Sequence, residues 1–168
     1  IVRSKGGDFY GYDGMTEIPK SFVKTNNMTD FGYSTVATPG LIAMLGAMHQ
    51  KHGKLPFEVL VRPAIKHAES GFHVLPGEAA RQKSAVQEIK QNRGMTESFL
   101  KGESATLKAA QILKQPVLAK TLNRIALGGT DAFYTGEIAR LISEDMESNG
   151  GHVTLQDFAD YRVLPGRY

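Results

Sequence analysis

The chain has 168 residues, with 20 Lys and Arg against 17 Asp and Glu for a net charge of +3, and is 41% hydrophobic and 22% charged. That length suits one ordinary domain with its own core, and the scattered, interleaved charges lack the basic stripe that tracks a nucleic-acid backbone. The absence of cysteine excludes disulfides, thiolate metal sites and a cysteine nucleophile, and the longest apolar run, residues 41–48, is far short of the roughly twenty residues a membrane span needs.

Residues 1–23 read as a β-hairpin region. Residues 1–5 alternate apolar and polar, Gly6-Gly7 supplies a turn, and residues 8–13 alternate again. A lone hairpin is marginal in water, so its partner strands are expected elsewhere. Residues 24–38, rich in Thr, Asn, Ser and Gly, read as a loop. The region 39–168 reads as helical. Thr38 is a candidate cap with Pro39 in the first turn, and Leu41, Met44, Leu45 and Met48 make an apolar face that ends at Gly53. After a Leu55-Pro56 loop, a second helix is predicted over 57–70. Its expected buried stripe is Val59, Leu60, Ala64, Ile65 and Ala68, with a kink or late start at Pro63 and Gly71 as the closing residue.

A third helix is predicted over 77–91, ending at Asn92-Arg93-Gly94, and a short one over 96–100. Leu118, Leu122 and Ile125 predict a helix over 116–127, stopped by Gly128-Gly129. Thr130 is then read as the cap of another, with the stripe Tyr134, Ile138, Leu141, Ile142 and Met146, ending at Gly150-Gly151. Thr154 and Asp157 have capping-box spacing and open a short helix to Tyr161.

The residues taken by themselves offer little chemistry. His49 and His52 are three apart and could share a helix face, but no third ligand cluster accompanies them, and a solvated helix end explains them better. No serine sits in a G-x-S-x-G elbow, no glycine pair forms a phosphate loop, and Glu144, Asp145 and Glu147 read as a solvated face.

Residues 51–74, KHGKLPFEVLVRPAIKHAESGFHV, resemble the "YGKLPW…L..PAI.LAE.GF" signature in the large subunit of the gamma-glutamyltranspeptidase family. Residues 38–41 resemble that family's "VPG.V.G" helix start. Residues 113–126, LKQPVLAKTLNRIA, are similar to "L.QPDLA.TL..IA", and residues 129–139, GTDAFYTGEIA, to "G.DAFY.G.IA". Residues 149–163, NGGHVTLQDFADYRV, resemble ".GG.LT.EDLA.Y.V". The motifs occur in the family's order.

The resemblance implies an α+β chain, mostly helical, forming part of an αββα N-terminal-nucleophile-hydrolase fold. Residues 1–168 would be a partial large-subunit domain. It implies transfer of a gamma-glutamyl group from glutathione-like donors to water or an amino acid. The attacking group would be the N-terminal threonine of a small subunit cut from the same precursor, with its own amine as base. No catalytic residue is then expected in this chain, no cofactor or metal is implied, and the chain alone is expected to be inactive. Its partners would be the rest of the precursor and the amide substrate.

One substrate contact is expected inside the chain. The family pattern "D-G/F-R-E-x-A-P" places an arginine on the donor's α-carboxylate, and this segment reads Asp13-Gly14-Met15-Thr16-Glu17-Ile18-Pro19. Asp13 and Pro19 align, Met15 stands at the arginine position, and Thr16 stands at the glutamate position. Methionine cannot pair with a carboxylate. Relatives such as cephalosporin acylases and depolymerases of gamma-linked polyglutamate would suit that departure, and so would a Met15 that merely packs against the hairpin's partner. A non-catalytic helical interaction module is the alternative to an enzyme part.

Overall fold

The computed structural model of the chain describes residues 2–3, 6–24, 30–101 and 105–166. The hairpin forms as its alternation predicts. Strand β1 (Val2–Arg3) pairs antiparallel with β2 (Phe9–Asp13), across a turn where Gly7 has a φ of 94°. Residues 1, 4 and 5 of the expected first strand lie outside the described residues. Strand character ends at Asp13, sooner than expected, and beyond it the Glu17–Thr38 bridge is the next pairing among the described residues. Of the expected loop, residues 25–29 lie outside the description, and the remainder holds a single 3-10 turn, Tyr33–Thr35.

Helix α1 (Leu41–His52) is followed by α2 (Phe57–Ser70), β3 (Phe72–His73), α3 (Pro76–Ser84), α4 (Val86–Lys90) and α5 (Arg93–Phe99). The chain continues through β4 (Leu100–Lys101), β5 (Ala105–Thr106), β6 (Ile112–Leu113), α6 (Pro116–Tyr134), α7 (Glu137–Ser148), α8 (Leu155–Asp160) and β7 (Leu164–Gly166). The N-cap of α1 is Gly40 rather than Thr38, whose backbone pairs with Glu17 and whose hydroxyl caps nothing. Helix α2 keeps its predicted bounds and starts at Phe57, ahead of Pro63. Gly71 closes it at a φ of 88°. The packed face of α2 is turned away from the expected stripe. Ala68 is buried and Phe57, Val61 and Ile65 are partly buried, whereas Val59, Leu60 and Ala64 are exposed. Successive residues advance about 100° round a helix, so this face centres near Val61 and the apolar arc is wider than the contact. Helix α1 likewise packs through Ile42 and Ala43, while Leu41 and Leu45 are exposed.

The predicted 77–91 helix is two helices. They part at Ala85 (φ −95°, ψ 13°), where the Ser84 hydroxyl donates back to the Arg81 carbonyl at 2.9 Å. Asn92 begins a helix instead of ending one, because its side-chain oxygen accepts from the Met95 N–H at 3.0 Å. Gly129 interrupts the helical run as predicted: its φ of 64° and ψ of −154° lie outside the helical region, and α6 is two helical stretches that meet there. The helix expected from Thr130 to Gly150 is itself broken at Thr135-Gly136, ahead of α7. There a Cβ on Gly136 would lie 2.7 Å from the Ala132 carbonyl oxygen.

Contacts divide the chain into two compact units, residues 1–57 with 124–168, and residues 58–123. In the first, β2 is central in a three-stranded antiparallel sheet ordered β1-β2-β7, with Gly11 opposite Gly166 and Asp13 opposite Leu164. The hairpin therefore finds its partner within this chain. The core of this unit gathers Tyr134, Ala139, Met146, Val153, Phe158 and Tyr161, with Phe133 and Ile142 packed against it. In the second unit, β3 pairs with β6 and β4 with β5, around Val74, Leu107 and Leu113.

The predicted capping box opens α8. The Thr154 hydroxyl accepts from the Asp157 N–H, and the Asp157 carboxylate accepts from the Thr154 N–H at 2.9 Å. The same carboxylate also accepts from the Lys20 N–H at 3.0 Å, tying the segment after the hairpin to α8. Burial works to raise the pKa of Asp157, but hydrogen bonds from Thr154 and Lys20 outweigh it and hold the carboxyl below its ordinary range. A lowered carboxyl pKa stabilises the fold above the unfolded value and loses that contribution as pH falls through the folded value. Asp157→Ala is therefore expected to cost about 1–3 kcal/mol at pH 7. Denaturant unfolding of wild type and variant should show the gap closing below about pH 4.

Candidate functional site

The segment following β2 is pinned through its backbone while several of its side chains point outward. The Met15 N–H donates to Asp13 Oδ1 at 2.9 Å, the Asx-type turn that aspartate favours. The Met15 carbonyl accepts from the Tyr161 hydroxyl at 2.7 Å. Glu17 and Thr38 exchange two backbone hydrogen bonds, at 3.1 and 2.9 Å, and Pro19 is buried. Lys20 adds its N–H bond to Asp157 and an ion pair with Asp160.

Glycine is required on both sides of this loop. A Cβ on Gly14 would lie 2.5 Å from Met44 Cβ. A Cβ on Gly40 would meet the Tyr161 hydroxyl at 1.9 Å and the carbonyl oxygens of Gly14 and Met15 at 2.4 and 2.6 Å. The backbones of residues 14–15 and 40 thus approach as closely as side-chain-free residues allow.

Held in this way, Met15 is 75% exposed and Ile18 73% exposed, and Thr16 is exposed beside them. Met15 consequently does not pack against the hairpin's partner strand in this chain. The segment presents a soft thioether and a hydroxyl where a carboxylate binder would need a cation. The nearby Lys20 is paired with Asp160, which together with Asp157 and Glu17 keeps its ammonium group protonated beyond its ordinary range, although burial opposes this slightly.

Two stacked tyrosines support the loop from inside. The rings of Tyr134 and Tyr161 lie 5.5 Å apart at 23°. The Tyr134 hydroxyl donates to the Pro39 carbonyl at 2.7 Å and accepts from the Ala43 N–H at 3.2 Å. Burial pushes the Tyr134 phenol to about 12, against the opposing effect of the Ala43 N–H. Burial raises the Tyr161 phenol too, with Glu17 and Asp13 adding to it. Both hydroxyls are neutral donors at physiological pH. The sequence reading did not single out either residue for this role. Tyr134 registered only as a stripe position and Tyr161 as a helix end.

The two histidines of α1 serve separate local contacts. His49 Nε2 lies 2.8 Å from the Leu55 carbonyl and its ring packs on Phe57, whereas His52 Nε2 lies 2.7 Å from the Tyr12 hydroxyl with Tyr10 alongside. Among the described residues, no group of three or more His, Asp or Glu is placed to hold a metal ion. Glu144 is paired with Arg140, and Asp145 accepts from Asn149, both on the exposed side of α7.

The fold is shared with solved structures. The gamma-glutamyltranspeptidase of Helicobacter pylori superposes with a TM-score of 0.93 at 29% identity, over 99% of this chain and 50% of that one. A cephalosporin acylase from Bacillus halodurans superposes at 0.89 with 25% identity, over 98% of this chain and 33% of that one. The class is that of the N-terminal nucleophile hydrolases, α+β and mostly helical in this chain. Within it, the family model for gamma-glutamyltranspeptidase matches residues 13–165, and the chain belongs to that family. The glutathione hydrolase proenzyme of Escherichia coli (strain K12) is 31% identical over 98% of this chain, which spans 30% of that protein's length.

Proposed function

We propose that this chain is a portion of the large subunit of a gamma-glutamyltranspeptidase-like enzyme that transfers or hydrolyses gamma-glutamyl or related acyl amides. The observation that carries this reading is the family match over residues 13–165. The chain contributes scaffold and one wall of the donor site. The nucleophile is a threonine supplied by the small subunit of the same precursor. Its hydroxyl attacks the amide carbonyl while its own amine takes the proton and passes it to the departing amine as the C–N bond breaks, giving an acyl-enzyme that water or another amine then resolves.

Met15 and Thr16 form the part of the donor site that this chain supplies. A guanidinium at position 15 would grip a donor α-carboxylate bidentately, but Met15 offers only dispersion and weak acceptance. The donor therefore needs no free α-carboxylate at this contact. Acyl groups that lack the α-carboxylate are accepted along with gamma-glutamyl ones. The full-length protein is expected to hydrolyse gamma-glutamyl and 4-aminobutyryl anilides, which differ only in the α-carboxylate, with kcat/KM values within about tenfold of each other, since no charged hydrogen bond separates them at residue 15. A strong preference for the gamma-glutamyl anilide would overturn this specificity.

A further inference from the structure

We infer that Tyr161 is a positioning residue for the acyl-donor site, acting through the Met15 carbonyl. The inference rests on the reading that Met15 and Thr16 line that site. Met15 is held from two sides by groups that need not otherwise meet. Asp13 grips its N–H from the exposed side, and Tyr161, 5% exposed, grips its carbonyl from the core. The Tyr161 ring is itself fixed by its stack on Tyr134, whose hydroxyl anchors Pro39 at the start of α1. The path from the core of the first unit to residue 15 thus runs through the Tyr161 hydroxyl, while Asp13 holds the N–H of the same residue and most of its side chain stays exposed.

A hydroxyl whose only work was to satisfy itself in the core could take any nearby acceptor. This one reaches the residue at which the chain departs from its family, between two close-packed glycines. A displacement of about 1 Å at a binding group far from the bond being broken can cost a large factor in rate or affinity. Loss of the Tyr161 hydroxyl should therefore be felt as a looser donor site and not as altered chemistry.

The test uses the full-length protein and three variants assayed on the better anilide donor, with thermal midpoints recorded alongside. Tyr161→Phe keeps the ring stack and removes the hydroxyl. Asp13→Ala frees the Met15 N–H from the exposed side, where folding is tolerant, and Asp13→Asn restores an acceptor oxygen. The expected result is a rise of about three- to tenfold in donor KM for Tyr161→Phe and Asp13→Ala, with kcat within about twofold and near wild-type KM for Asp13→Asn. Unchanged KM in both, or a loss of kcat that tracks lost folded protein at constant KM, would overturn the inference. Met15→Arg separates the two claims. If it changes donor preference while Tyr161→Phe and Asp13→Ala leave KM untouched, the site reading stands and the positioning role falls. If none of these substitutions changes any donor parameter, both fall.

Discussion

Met15→Arg should shift the full-length protein toward donors that carry a free α-carboxylate. The ratio of kcat/KM for gamma-glutamyl over 4-aminobutyryl anilide, which differs only in lacking that carboxylate, is expected to rise by roughly 10- to 100-fold, the factor a charge-assisted bidentate pair supplies. The site can take the change. Met15 is 75% exposed, its side chain is engaged in no buried packing within this chain, and its backbone is fixed at both N–H and carbonyl. An arginine placed there would start from a defined direction and lose less freedom on pairing than one on a mobile loop. Lysine at the same position should recover less, because an ammonium is a point charge without the planar fork. If the ratio stays unchanged in Met15→Arg, position 15 does not face the donor carboxylate.

Phe158→Ala is expected to be the most damaging core substitution, at about 3–5 kcal/mol. Phe158 is fully buried in α8 and packs edge-on against Phe133 at 5.8 Å, with Tyr134 at 6.2 Å. Truncation would open a cavity beneath the tyrosine stack that supports residue 15. The loss should therefore appear in donor KM as well as in stability. Leu155→Ala, in the same helix but 46% exposed, controls for helix propensity and should cost about 1 kcal/mol or less. Equal losses in the two variants, read from denaturant unfolding, would show that the core is not organised around Phe158.

Features with local causes were legible in the sequence. Leu55-Pro56 and Gly71 bracket α2, and Thr154 with Asp157 announce α8, because a turn, a left-handed glycine and a cap each act within a few residues. Features that depend on a distant partner were not. Strand β7 is three residues long and exists because β2 lies beside it, and β3 and β6 are two residues each. No periodicity can emerge from so few positions. The faces of α1 and α2 were misjudged for a related reason. Their apolar arcs are broader than the surface they bury, and only the packing partner says which part of an arc is used. Gly129 marks a break in the helical run, as its freedom of φ indicates, whereas the second break at Thr135-Gly136 depends on the close approach of Gly136 to Ala132.

The candidate site divides along the same line. Met15 and Thr16 stood out because they replace charged residues within a recognisable local pattern. The support beneath them did not, since Tyr161 is 146 residues away and its hydroxyl leaves no local trace. Pinning the loop from the core also explains how residues 13–18 can carry five exposed side chains and keep a defined backbone.

The central claim is that the chain is a scaffold and donor-site wall whose nucleophile lies elsewhere in the same protein. The most direct measurement traps the acyl-enzyme by treating the full-length protein with a glutaryl or gamma-glutamyl electrophile and locates the label by peptide mass spectrometry. The expected result is one acyl group, on the N-terminal threonine of a segment outside residues 1–168. A stoichiometric label on any serine, threonine or lysine within residues 1–168 would contradict it.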